Sequence, residues 1–303
     1  MRYFKLVNND GEEFSITTKE FFFHDVEGLG FEEDNSFRSV GPVWRLNSSS
    51  RSQMPISGQL CLTENGSTTP YQKYDIFRKY IARTPLRFLY YPQGLDGKVY
   101  RKNVRVSRLS KTEMTKYGVL DCDISFTPYT PWYEIQTFEN VPDAVDDSAH
   151  WIWDVGNRWR DSDDGDTETP RYKFGGEARN IIDFDCDSTE KGFIKLTIKG
   201  PALNPTWTQY VNGGLKSTGG FATSSNFSLT ADEWLTIDNT EGQFSMTVYN
   251  RVTGDTRNVY SLRDFDKLCF FNLEEGRNAF AVASQDGVPL SIVVEGHIHY
   301  ATV

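Results

Sequence analysis

Most of what this 303-residue chain lacks bears directly on function. No stretch approaches the roughly 18 consecutive apolar residues of a membrane-spanning helix, so no membrane partner is expected. The opening run Met1-Arg2-Tyr3-Phe4-Lys5-Leu6-Val7-Asn8 is too short and too polar for the apolar region of a signal peptide. The chain therefore reads as one made in a cytosol. Histidine is scarce, with only His24, His150, His297 and His299 to serve as general bases. The four cysteines, Cys61, Cys122, Cys186 and Cys269, lie far apart and form no C-x-x-C pair, so they read as buried, reduced thiols. The metalloprotease, phosphate-loop and serine-hydrolase signatures H-E-x-x-H, G-x-x-x-x-G-K-[ST] and G-x-S-x-G are all missing. Gly28-Leu29-Gly30 lacks the rest of a dinucleotide fingerprint. Paired-carboxylate catalysis has no positive signal either, because 42 acidic residues always contain pairs. No catalytic, cofactor-binding or metal-ligating residue is assigned, and the chain is not expected to be an enzyme.

Basic character is also in short supply. The net charge is −10, which disfavours wrapping of nucleic acid and argues against sequence-specific recognition of it. The deficit is uneven: residues 1–140 carry 18 Lys+Arg against 17 Asp+Glu, whereas residues 141–303 carry 14 against 25. A split of that size points to two modules with different surfaces.

What is abundant is aromatic and strand-forming. Tyr and Phe number 15 and 21, and such residues suit a pleated, half-buried surface. One helix interrupts the first half. Thr69 can cap it, Pro70 suits its first turn, and Tyr74, Phe77 and Ile81 recur at helical spacing. Thr84-Pro85 stops it, giving a helix over about 70–83. Leu86–Tyr91 and Val99–Leu109 read as strands. In Leu120-Asp121-Cys122-Asp123-Ile124-Ser125-Phe126 the strict alternation fixes one buried face. Thr127-Pro128-Tyr129-Thr130-Pro131 ends that region, and the stretch to about Asp147 has few packing residues. The domains are accordingly 1–140 and 141–303. In the second, Ile194/Leu196/Ile198, Phe244/Met246/Val248, Phe280/Val282 and Leu290/Ile292/Val294 alternate with other residues. Asn239–Gly242 and Gln285–Gly287 have turn chemistry. The fold class is mainly β.

Four features invite a functional reading. His297-Ile298-His299 could present two imidazoles to a metal, or could be a solvent-facing pair with Ile298 and Tyr300 buried opposite; the second is favoured. Asp161–Asp166 resembles a calcium loop, but its glycine is misplaced and Tyr172 stands where the bidentate Glu belongs, so it reads as an acidic surface loop. Arg101, Lys102, Arg105 and Arg108 anchor a basic stretch that runs from Lys98 to Lys116. It is either the wet face of a strand pair or an inter-subunit strip that meets an acidic neighbour. Trp151, Trp153 and Trp159 sit beside carboxylates, as in a sugar- or partner-contacting face, or else anchor a core.

Two stretches carry a family resemblance. The first runs from the Tyr74/Phe77/Ile81 helix through Pro85–Tyr91, Arg108–Glu113 and Leu120–Phe126 to Thr130-Pro131-Trp132-Tyr133. The second is Ile198–Pro205 with Trp234–Asp238 and Glu275–Asn278. In these the chain resembles the distal tail proteins of long-tailed, non-contractile phages or prophages of Gram-positive bacteria. That resemblance implies an N-terminal β-sandwich with one α-helix that closes into a homo-hexameric ring, and a C-terminal galectin-like β-sandwich. It implies a structural hub in the virion tail, assembled in the host cytoplasm, joining the tail tube protein to the tail tip protein and anchoring a receptor-binding protein. A carbohydrate-binding adhesin, acting on a cell-surface glycan through the C-terminal sandwich, is the alternative. A glycan-degrading enzyme ranks last.

Overall fold

The computed structural model describes residues 2–64, 68–140, 181–240 and 243–303, together with the backbone of three two-residue strands between 152 and 173. The chain is mainly β, with one α-helix among the described residues. By contacts it divides into one unit of Met1–Glu134 with Ile298–Val303, and a second of Ile135–His297. The sequence reading instead ends the first module at 140 and gives all of 141–303 to the second.

The first unit contains β1 (Tyr3–Val7), β2 (Glu13–Ser15), β3 (Phe21–Glu27), β4 (Phe31–Val40), β5 (Val43–Gln53) and β6 (Ile56–Thr63). After them come α1 (Pro70–Ile81), β7 (Leu86–Tyr91), β8 (Tyr100–Leu109), β9 (Val119–Pro128) and β10 (Trp132–Asn140), within which the division between units falls. An antiparallel path runs β2-β1-β7-β8-β9-β6-β3. It folds over on itself, because Phe4 of β1 meets Phe23 of β3 at 5.7 Å and Phe88 of β7 meets Phe126 of β9 at 5.5 Å. These edge-on and tilted rings, with Leu6, Leu60, Leu62, Val104 and Leu120, form a β-sandwich core. Helix α1 begins as its sequence dictates. Thr69 accepts from the Gln72 N–H while the Gln72 side chain accepts from the Thr69 N–H, a reciprocal capping box. Its apolar face buries Tyr74, Phe77 and Ile81.

The second unit contains β11 (Ile152–Trp153), β12 (Trp159–Arg160), β13 (Tyr172–Lys173), β14 (Ile181–Cys186), β15 (Glu190–Lys199), β16 (Ala202–Leu203) and β17 (Thr206–Val211). Then follow β18 (Gly214–Gly220), β19 (Ser228–Leu229), β20 (Glu233–Asp238), β21 (Ser245–Asn250), β22 (Thr256–Asn258), β23 (Gly276–Ala283) and β24 (Ser291–Tyr300), whose residues from Ile298 onward belong to the first unit. The sheet β14-β23-β17-β18 packs Phe184, Phe280 and Trp207 inward, while β15-β20-β21 contributes Leu196, Ile198, Leu235, Ile237, Met246 and Val248. The alternation read from the sequence places Leu196, Ile198, Met246, Val248 and Phe280 correctly, but Phe244, expected to be in phase with Met246, is exposed because the strand starts at Ser245. Buried amides knit the core. Asn239 accepts from the Ile194 N–H at 2.8 Å and donates to the Phe271 carbonyl, and Gln209 donates to the Asn272 carbonyl at 2.7 Å. All four cysteines are free thiols, with Cys122, Cys186 and Cys269 buried and Cys61 half-buried.

Candidate assembly surface

The basic strip lies mostly on β8, and the pleat sorts its members. Arg101, Asn103 and Arg105 alternate with Lys102 and Val104, and a bulge between Val106 and Arg108 resets the phase. Arg105 and Arg108 are exposed. Arg108 Nη2 pairs with Asp123 Oδ2 on β9 at 3.0 Å. Arg101 is half-buried opposite Tyr133, donates to the Val99 carbonyl at 3.3 Å, and has its pKa lowered by desolvation.

Lys102 corrects the sequence reading, which placed it on the exposed strip. It shares the phase of Val104, faces the core and is fully buried. Its Nζ sits 4.7 Å from the centre of the Trp132 ring and has no hydrogen-bond partner. The ring's negative face compensates part of the cost of an unsolvated ammonium. Burial pushes the amine down to about 7. The other buried lysine behaves differently: Lys73 Nζ donates to the Thr63 carbonyl at 2.8 Å and pairs with Glu20 at 3.0 Å. Trp132 is fixed in turn by its Nε1–H donating to the Leu29 carbonyl at 2.9 Å.

The most exposed part of the described unit was not singled out by sequence reasoning. β4 and β5 form a sheet of their own, joined by the two-residue turn Gly41-Pro42. Gly41 has a φ of +63°, a tight-turn conformation suited to glycine. Every residue from Glu32 to Ser52 is exposed. The register pairs Phe37 with Leu46 and Ser39 with Trp44, which sets Phe37, Leu46 and Trp44 on one face, while Val40 pairs with Val43 beside the turn. Trp44 is 70% exposed. Such a ribbon of two strands is marginal alone in water, and contiguous exposed apolar side chains mark interaction surfaces. The sequence signal was there: Gly41-Pro42 between two valines.

Trp153 and Trp159 stand opposite each other on β11 and β12. Trp151 and the Asp161–Asp166 loop lie outside the described residues. His297 and His299 are buried rather than solvent-facing, because β24 near its end is covered on both sides. His297 Nε2 lies 3.1 Å from Glu295, and the His299 ring lies 6.0 Å from Tyr133. Among the described residues no cluster of His, Cys, Asp and Glu has the makings of a metal site, and no helix is long and apolar enough to cross a membrane.

Residues 3–129 match the family described as distal tail protein, N-terminal domain. The distal tail match spans β1 to β9 with α1, and so includes both the exposed ribbon and the basic strip. The whole chain also shares its fold with solved structures. A chain of the phage p2 baseplate in its activated conformation, solved with Sr and with Ca, aligns over 100% of both chains with a TM-score of 0.65 and 15% identity. The phage SPP1 distal tail protein, described as a paradigm of the hub adsorption apparatus in Gram-positive infecting phages, covers 97% of this chain and 98% of its own. Its TM-score is 0.60 and its identity 8%. No curated protein matches the sequence. The fold is that of phage baseplate and hub proteins.

Proposed function

We propose that this chain is a distal tail protein, a structural hub in the tail tip of a long-tailed, non-contractile phage or prophage of a Gram-positive host. In this reading it closes into a homo-hexameric ring, joins tail tube protein to tail tip protein, and anchors a receptor-binding protein on its galectin-like second unit. It acts without catalysis or cofactor, in the virion tail, after assembly in the host cytoplasm. The observation that carries the reading is the β4–β5 ribbon, which exposes Phe37, Trp44 and Leu46 on one face and has no core of its own to cover them. In a ring each copy offers one patch to a different patch on the next, and a projecting arm supplies such a patch. Arg105 and Arg108 are the strip members exposed enough to meet an acidic neighbour, with Lys102 removed from that role.

Negative-stain microscopy with light scattering at high protein concentration tests this. Closed six-membered rings are expected for the native chain, and their loss in Trp44→Ser/Leu46→Ser. A chain that stays monomeric both alone and with tail tube and tail tip proteins would sink the hub reading. Rings that persist in the double variant would take the ribbon out of the interface. Reversing Arg105 and Arg108 to Glu should weaken assembly most at low salt; unchanged assembly there would remove the strip.

A further inference from the structure

The sheet β14-β23-β17-β18 buries one face in the second unit's core, and its other face holds a trough of about 1280 Å³. Side-chain size creates it. Along the central strand β23, Ala279, Ala281 and Ala283 point away from the core, alternating with buried Phe280 and Val282. The neighbouring strands are taller. Asp183 and Tyr210 stand on either side of Ala279, and Ile181 and Thr208 on either side of Ala281. A line of methyl groups therefore runs between walls for about 14 Å at the usual strand rise, longer than one sugar ring.

One end of the trough is chemically equipped. Arg277 forms an ion pair through Nη2 and Nε with the Asp183 carboxylate, the Nε contact being 3.0 Å, and its backbone N–H donates to Asn212 Oδ1 at 3.0 Å. Both side chains are well exposed, at 67% for Arg277 and 43% for Asp183. A guanidinium and carboxylate locked together present donors and acceptors in fixed directions with no net charge. Tyr210 adds a half-exposed ring and Asn212 an amide in the same wall.

We propose that this trough binds a neutral oligosaccharide chain, with the alanine floor and Tyr210 meeting the C–H faces of the sugars and Asp183, Arg277 and Asn212 meeting their hydroxyls. Charge selects the class of ligand. Residues 141–303 carry a net −11, which repels an anionic polymer, while the trough's own charges cancel. A protein partner would be anchored by large apolar or aromatic side chains entering deep pockets, which a shallow alanine floor does not offer. Asp183, Tyr210, Asn212 and Arg277 are different residues from Trp151, Trp153 and Trp159, which the sequence reading offered as a sugar or partner contact or as core anchors. The proposed binding does not require a ring.

The test is binding of the full chain to arrayed neutral oligosaccharides built from glucose, galactose, rhamnose or N-acetylglucosamine. A glycerol-phosphate polymer and an unrelated peptide serve as charged and protein controls, and hits are quantified by calorimetry. At least one neutral chain should bind. Tyr210→Ala should weaken it tenfold or more, and Ala281→Trp, which fills the trough, should abolish it. Asp183→Ala, at an exposed position, gives a second disruption if the tryptophan variant does not fold. Failure of every neutral chain to bind, binding only to the glycerol-phosphate polymer or the peptide, or undiminished binding in folded trough variants would each overturn the proposal. Microscopy of the same variants keeps the two readings apart, since trough variants should still form whatever rings the native chain forms.

Discussion

Two antiparallel pairs in the first unit, β6 with β9 and β4 with β5, have similar lengths and opposite environments. In β6–β9 each strand buries alternate residues: Leu60 and Leu62 on one, Leu120, Cys122, Ile124 and Phe126 on the other. In β4–β5 the same ladder geometry holds, yet nothing between Glu32 and Ser52 is covered. Main-chain hydrogen bonds are present in both, and their net contribution is modest, about 1 kcal/mol each. Burial is what differs. One pair is stabilised by this chain's own core; the other carries Phe37, Trp44 and Leu46 without one, as expected of a surface whose core is completed by another molecule.

The largest contrast should come from truncating one aromatic residue in each pair. Phe126→Ala should lower the unfolding free energy by about 3–5 kcal/mol, whereas Trp44→Ala should change it by less than about 0.5 kcal/mol, both read by denaturant melts of the unassembled chain. Equal costs would break the comparison. Lys102→Met sharpens it from the other side, by removing a polar group buried in the core. The native amine, held near 7 when folded against an ordinary 10.5, binds fewer protons than the unfolded chain between those pH values. Stability should therefore rise with pH across that window, and below it the burial cost is felt in full. The methionine variant should lose this slope and gain about 1–3 kcal/mol at pH 7; melts at pH 6.5 and 9.5 decide it. Glycine substitutions are next in size. A Cβ at Gly58 in β6 would stand 2.7 Å from the His24 carbonyl oxygen and from the Phe23 ring, so Gly58→Ala should cost about 1–3 kcal/mol. Arg108→Ala, removing an exposed ion pair, should cost no more than about 1 kcal/mol of stability.

The same contrast explains what the sequence could reveal. Helix α1, expected over about 70–83 and found at Pro70–Ile81, was legible because its cap, first-turn proline and apolar spacing are all local. Strand β9 was legible because one-sided burial imprints a period of two. The β4–β5 ribbon has no buried side and hence no period, so only its turn announced it. Lys102 was misplaced because a run of basic residues looks like a surface, although its phase with Val104 already pointed inward. His297 and His299 were misplaced for the reverse reason: a strand end covered on both sides erases the alternation that would have located them. The trough was illegible, since it depends on the heights of side chains brought together from β14, β17 and β23.

The last described residues of the first unit have a consequence in time. Ile298, Tyr300 and Ala301 are buried, with the Tyr300 ring 5.4 Å from Tyr100 and its hydroxyl 3.3 Å from Glu134. A ribosome makes these residues only after the entire second unit. The first unit therefore stays unfinished while the intervening residues are translated, and domains that fold as units cannot close before all their segments exist. A nascent chain thus cannot complete its first unit until its second unit has been synthesised.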